Sequence, residues 1–107
     1  MRLITESEYP LISYLFESVG LTVDLNVLKV QPMDDGRMGS LQIERADVAP
    51  SFGRCVADCE FRDADGVTVL AALNADACGQ PMEIDIWKVD FSALKQWPDR
   101  FQILQRA

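Results

Sequence analysis

The chain predicts an α+β fold: an N-terminal helix packed on a four- to five-stranded antiparallel sheet, closed by a short C-terminal helix or tail. Three observations carry that expectation. Apolar residues recur at helical spacing near the start, at Leu11, Ile12, Leu15, Phe16 and Val19. From residue 27 to residue 91 the apolar period drops to two, the signature of half-buried strands. Between those runs stand short segments of Asp and Gly, which turn a chain back on itself and leave no room for parallel crossovers.

The helix opens on a capping box, Thr5 with Glu8 three residues on. Pro10 lacks an N–H and disfavours helical geometry at Tyr9, so an irregular first turn is expected, with regular helix from about Pro10. Gly20 suits the position just past the end. Residues 27–32 read as a short strand. Asp34-Asp35-Gly36-Arg37-Met38-Gly39 turns the chain, with two glycines available for positive φ, and residues 40–44 pair back. Residues 47–51 form a connector. In the next hairpin Cys55, Ala57, Cys59 and Phe61 alternate with Arg54, Val56, Asp58, Glu60 and Arg62. Asp63-Ala64-Asp65-Gly66 turns, and Val67, Val69, Ala71 and Leu73 return. A second turn over residues 76–80 leads to a strand in which Met82, Ile84 and Ile86 alternate with Glu83, Asp85 and Trp87. Beyond Phe91 the apolar positions Leu94, Trp97, Phe101 and Leu104 fit a short helix or a packed tail, interrupted by Pro98.

At 107 residues the chain is read as one domain. No apolar run reaches the ~18–20 residues of a membrane span, and the acids at Glu6 and Glu8 interrupt any secretory leader, so a cytoplasmic protein is expected. Ten basic residues against 17 acidic give a net charge of −7. That balance argues against nucleic acid, whose phosphates need clustered Lys and Arg. It serves solubility, or it matches a basic partner through complementary fields. Histidine is absent, which removes the usual base of Ser and Cys nucleophile systems. Cys55, Cys59 and Cys78 are an odd set without a C-x-x-C step and are read as free thiols. Cys55 and Cys59, on one strand face about 13 Å apart, are expected as buried filler.

The acidic motifs divide by geometry. Asp63-Ala64-Asp65-Gly66 lacks the later ligands of a calcium loop and is read as a hairpin turn. Gly36-Arg37-Met38-Gly39-Ser40 has neither the lysine nor the following helix of a phosphate loop. Glu83, Asp85 and Trp87 form an acidic-aromatic stripe at ~6.6–6.8 Å intervals. Glu83 and Asp85 point the same way from one strand, where a hydrolase needs carboxylates flanking a bond. Trp87 either roofs a second small core under the tail or stands exposed as an interface anchor. Lys88 and Asp90, on the opposite parity, pair with each other or with neighbouring strands, where such pairs contribute little. No cofactor or metal is expected.

Asp35-Gly36-Arg37-Met38-Gly39-Ser40-Leu41, Phe61 through Val67, Asn74-Ala75-Asp76 and Glu83 through Phe91 together resemble a small bacterial domain family of unknown function. The match runs from Leu3-Ile4-Thr5 to Trp97-Pro98. Its members are similar to immunity proteins of contact-dependent inhibition and polymorphic toxin systems. The resemblance implies a single-domain binding protein and no catalytic residues. The expectation is a cytoplasmic immunity protein, a monomer or weak dimer, that occludes the active site of a basic toxin domain, a nuclease being the best match to an acidic inhibitor. Candidate contacts are Asp34, Asp35, Asp58, Glu60, Asp63, Asp65, Glu83, Asp85 and Trp87. The alternatives are a small hydrolase or ligand-binding domain using Glu83 and Asp85, and a structural homo-oligomer pairing through an exposed sheet edge.

Overall fold

The computed structural model describes residues 1–44 and 52–106. In chain order its elements are β1 (Arg2–Leu3), α1 (Tyr9–Ser18), β2 (Lys29–Pro32), β3 (Leu41–Ile43), β4 (Phe52–Arg62), β5 (Thr68–Asp76), β6 (Pro81–Lys88), a 3₁₀ turn (Arg100–Gln102) and β7 (Leu104–Gln105). The architecture is α+β. Among the described residues seven strands make one antiparallel sheet in the order β1-β2-β3-β6-β5-β4-β7. Two corrections to the expected fold follow. The sheet has seven strands rather than four or five, because β1 and β7 are two residues each and too short to show any period. The helix also follows β1 instead of leading the chain. The connector expected over residues 47–51 lies outside the described residues.

Helix α1 begins as its composition dictates. The Thr5 N–H donates to Glu8 Oε1 at 2.9 Å and the Glu8 N–H donates to Thr5 Oγ1 at 3.2 Å, a reciprocal cap on the irregular turn ahead of Pro10. At the far end the Gly20 N–H donates to Glu17 O and the Leu21 N–H to Phe16 O, with Gly20 at φ 72°. This is the Schellman arrangement, which glycine makes without steric cost. Between these caps Leu11, Ile12, Leu15 and Phe16 are buried against the sheet. Each such side chain stabilises the fold by about 1.5–3 kcal/mol.

Strand alternation then sorts the sheet into two faces. Val30, Leu41, Ile43, Cys59, Phe61, Val69, Ala71, Leu73, Ile84 and Ile86 belong to the buried cluster that α1 covers. Leu94 and Trp97 of the tail pack against the same cluster. The tail is therefore packed rather than helical, apart from the single 3₁₀ turn.

Two irregularities in β4 alter the expected parity. The register steps from Cys55↔Asn74 to Ala57↔Leu73, so two residues of β4 oppose one of β5. That bulge turns Cys55 away from the core. The expectation that Cys55 and Cys59 are both buried filler is corrected: Cys59 is buried and Cys55 exposed. Burial, with the charges of Asp58 and Glu60 adding to it, pushes the Cys59 thiol up to about 12.

The hairpin turn between β4 and β5 is more than a turn. Asp63 and Lys88 have side chains 0% exposed and pair at 2.8 Å, and Asp65 reaches the same Lys88 Nζ at 2.6 Å. Asp63 also accepts the N–H groups of Ala64, Lys95 and Gln96 at 2.7, 2.8 and 3.0 Å. One carboxylate thus ties the hairpin, the end of β6 and the tail together. Burial alone would raise the Asp63 pKa, but the Lys88 bond and three backbone donors outweigh it and hold it below the usual range. For Lys88, burial is likewise outweighed by the two aspartates, and its pKa is raised. The expectation of a weak surface pair at Lys88 is corrected: even parity on β6 points inward, so the lysine lies in the core face.

Candidate functional site

The face of the sheet opposite α1 is built by the residues of the other parity. Hydrogen-bonded register sets them in rows across the strands. Cys55, Asn74, Glu83 and Gln42 face one another in one row, Asp58, Ala72 and Asp85 in the next, and Glu60, Leu70 and Trp87 in the third, with Leu104 of β7 beside Glu60. Read along the strands, the same residues form three lanes. The β4 lane carries Asp58 and Glu60, the β6 lane carries Glu83, Asp85 and Trp87, and the β5 lane between them carries Leu70, Ala72 and Asn74. Neighbouring strands lie ~4.8 Å apart, so the two acidic lanes stand about 10 Å apart across an uncharged centre.

Five of the nine candidate contacts, Asp58, Glu60, Glu83, Asp85 and Trp87, therefore come together on this face. None of these four acids forms an ion pair among the described residues. Glu83 Oε1 accepts Asn74 Nδ2–H at 3.0 Å, which leans that carboxylate toward the central lane. Asp85 Oδ1 lies 3.3 Å from the Ser40 hydroxyl. Trp87 is 45% exposed and meets the Phe91 ring at 6.1 Å between centroids, tilted by 37°. It is exposed and does not roof a second core. The tryptophan that packs on the core is Trp97, within the tail.

The remaining four candidates lie elsewhere. Asp63 is buried, with both carboxylate oxygens taken by Lys88 and backbone N–H groups, so its placing among exposed partner contacts is corrected; Asp65 stays exposed on the turn, though it pairs with Lys88. Asp34 and Asp35 sit on the β2–β3 turn, at the rim of a cleft of about 470 Å³ walled by Met33, Leu41 and Trp97. Asp35 is committed to the turn, accepting the N–H groups of Met38 and Ser40 at 3.2 and 2.9 Å. Arg37 adopts φ 64° there, joining Gly36 and Gly39 in the left-handed region. Arg2 and Glu8 line the same cleft as a two-bond pair of 2.9 and 2.8 Å.

Sequence reasoning missed the central lane. Leu70 and Ala72 carry no charge or motif, and their significance comes only from lying between two acidic strands. The available signal was the return strand itself, whose odd positions from Val69 to Ala75 are apolar and buried and whose even positions Leu70 and Ala72 are uncharged.

No helix among the described residues is long and apolar enough to cross a membrane. No curated protein and no solved structure matches the chain. The model of a family described as a domain of unknown function (DUF6984) matches residues 1–98, nearly the whole chain, and the protein belongs to that family.

Proposed function

We propose that this protein is a binding protein that docks a basic protein partner on the open face of its sheet. The single observation that carries the reading is the acidic pair of lanes: Asp58, Glu60, Glu83 and Asp85 project from one face, free of ion pairs among the described residues, around an exposed Trp87. The four acids outnumber Arg62, the cation two residues beyond Glu60 on the same strand face, and such an excess of one sign costs self-repulsion, which a basic partner relieves. Trp87 and Phe91 supply the apolar contact area on which interface affinity concentrates. The resemblance to immunity proteins makes that partner a toxin domain with a basic active site, a nuclease fitting best, which the protein neutralises in the cytoplasm by covering it.

Growth protection tests the reading. The protein is co-expressed with the product of each gene that neighbours its own, and binding of any toxic product is measured across salt. Wild type should protect, and affinity should fall steeply as salt rises. A variant with Asp58, Glu60, Glu83 and Asp85 all changed to Lys should fold and fail to protect. Full protection by that variant would overturn the proposal.

A further inference from the structure

The geometry of the three lanes points to the shape of the partner: we infer that the open face receives a basic amphipathic α-helix lying along β5. The inference rests on the reading above that this face docks a basic protein, and it names the element that docks. Its apolar stripe would rest on Leu70 and Ala72. Lys or Arg on one flank would meet Asp58 and Glu60, and on the other flank Glu83 and Asp85.

Four features carry it. The acidic lanes stand about 10 Å apart, two strand spacings, and a helix with its side chains is ~10–12 Å across. Acids within one lane are two residues apart on a strand, ~6.7 Å, while positions i and i+4 of a helix rise ~6 Å, so successive Lys residues on one flank stay in step with them. The floor is shaped for an apolar stripe, since Leu70 and Ala72 are half-buried and uncharged, with the small Ala72 at the middle of the row Asp58-Ala72-Asp85. Finally, strands within a sheet have already paired their backbone groups, so whatever lies on the face must satisfy its own N–H and C=O groups. A helix does so, and a lone extended segment does not. Trp87, beside Leu70 at one end of the β6 lane and next to Phe91, would take an apolar or cationic residue of the helix.

The test uses the full chain and three synthetic peptides of about 14 residues, ~21 Å when helical, with the same Leu and Lys content. In the first, Leu follows helical spacing with Lys on both flanks. In the second, Leu and Lys alternate as in a strand. The third is the first with a central proline. Titration is followed by amide chemical shifts and by circular dichroism of the peptide. The helical peptide should bind at least about tenfold tighter than the other two, gain helicity, and shift the amides of residues 58–60, 70–74 and 83–87. Ala72→Trp sets a bulky ring on the central lane without changing charge. It should weaken the helical peptide at least about tenfold and leave capture of disordered polylysine unchanged. Equal binding of all three peptides, no binding of any, or indifference to Ala72→Trp would overturn the helical occupant. Those outcomes are separate from the growth-protection result, in which charge reversal alone decides whether a basic protein docks at all.

Discussion

Replacing Asp63 with alanine removes one carboxylate that accepts four hydrogen bonds, from Lys88 Nζ and from the N–H groups of Ala64, Lys95 and Gln96. A bond to a charged acceptor contributes about 1.5–3 kcal/mol, but bonds sharing one acceptor do not add. Removing one member of a buried ion pair costs about 3–5 kcal/mol, because the other charge stays buried. Lys88 would keep Asp65 at 2.6 Å and the Ala93 carbonyl at 3.3 Å, which sets the expected loss at the low end, about 3 kcal/mol. For a domain of this size that corresponds to a fall in Tm of about 12 °C. Urea unfolding monitored by fluorescence reads it directly, since Trp97 packs on the core within the tail that Asp63 holds. Asp63→Asn keeps one accepting oxygen but sets an NH2 donor where the other oxygen accepts two bonds, so it should lose about as much as Asp63→Ala. A loss below about 1 kcal/mol for Asp63→Ala, the range of ordinary surface changes, would refute the idea that this carboxylate organises the tail.

Stability should also fall at acid pH. Asp63 and Glu8 have folded pKa values below their unfolded ones. In Glu8 burial opposes the shift, and the Arg2 and Thr5 bonds outweigh it. Their contribution is present above about pH 4 and is lost as pH falls through the folded values, so urea midpoints should be level near neutrality and drop below that point, less steeply in Asp63→Asn. A thiol reagent should find two fast cysteines in the native protein, Cys55 and Cys78, and reach Cys59 only on unfolding. Three fast thiols would contradict the bulge. Gly53→Ala should destabilise by about 1–3 kcal/mol, because a Cβ at this unpaired position of β4 would collide with the Asp76 carbonyl. Neutralising Asp58 and Glu60 as Asn and Gln should leave the thermal midpoint unchanged or raised, since these acids form no ion pair among the described residues and the repulsion between them is removed.

How much of this was legible beforehand follows from what each residue responds to. The five longer strands, both caps of α1 and the acidic-aromatic stripe of β6 are local patterns, and local patterns can be read. Lys88 could not be, because parity placed it on the core face while its charge argued for the surface. What settles the matter is a pair of aspartates 23 and 25 residues earlier, and only the hairpin register brings them near. Cys55 failed for a different reason: a single extra residue in β4 reverses every inward–outward assignment on one side of it. The short strands β1 and β7 exist through pairing alone.

The knot at Asp63 has a consequence for how short the protein can be made. Cutting the chain after Lys88 would preserve every long strand but take away two of the backbone donors to Asp63, so the piece should be less stable than the whole. A piece that keeps the whole knot has to reach Gln96, and the stretch matched by the family ends only two residues later, at 98.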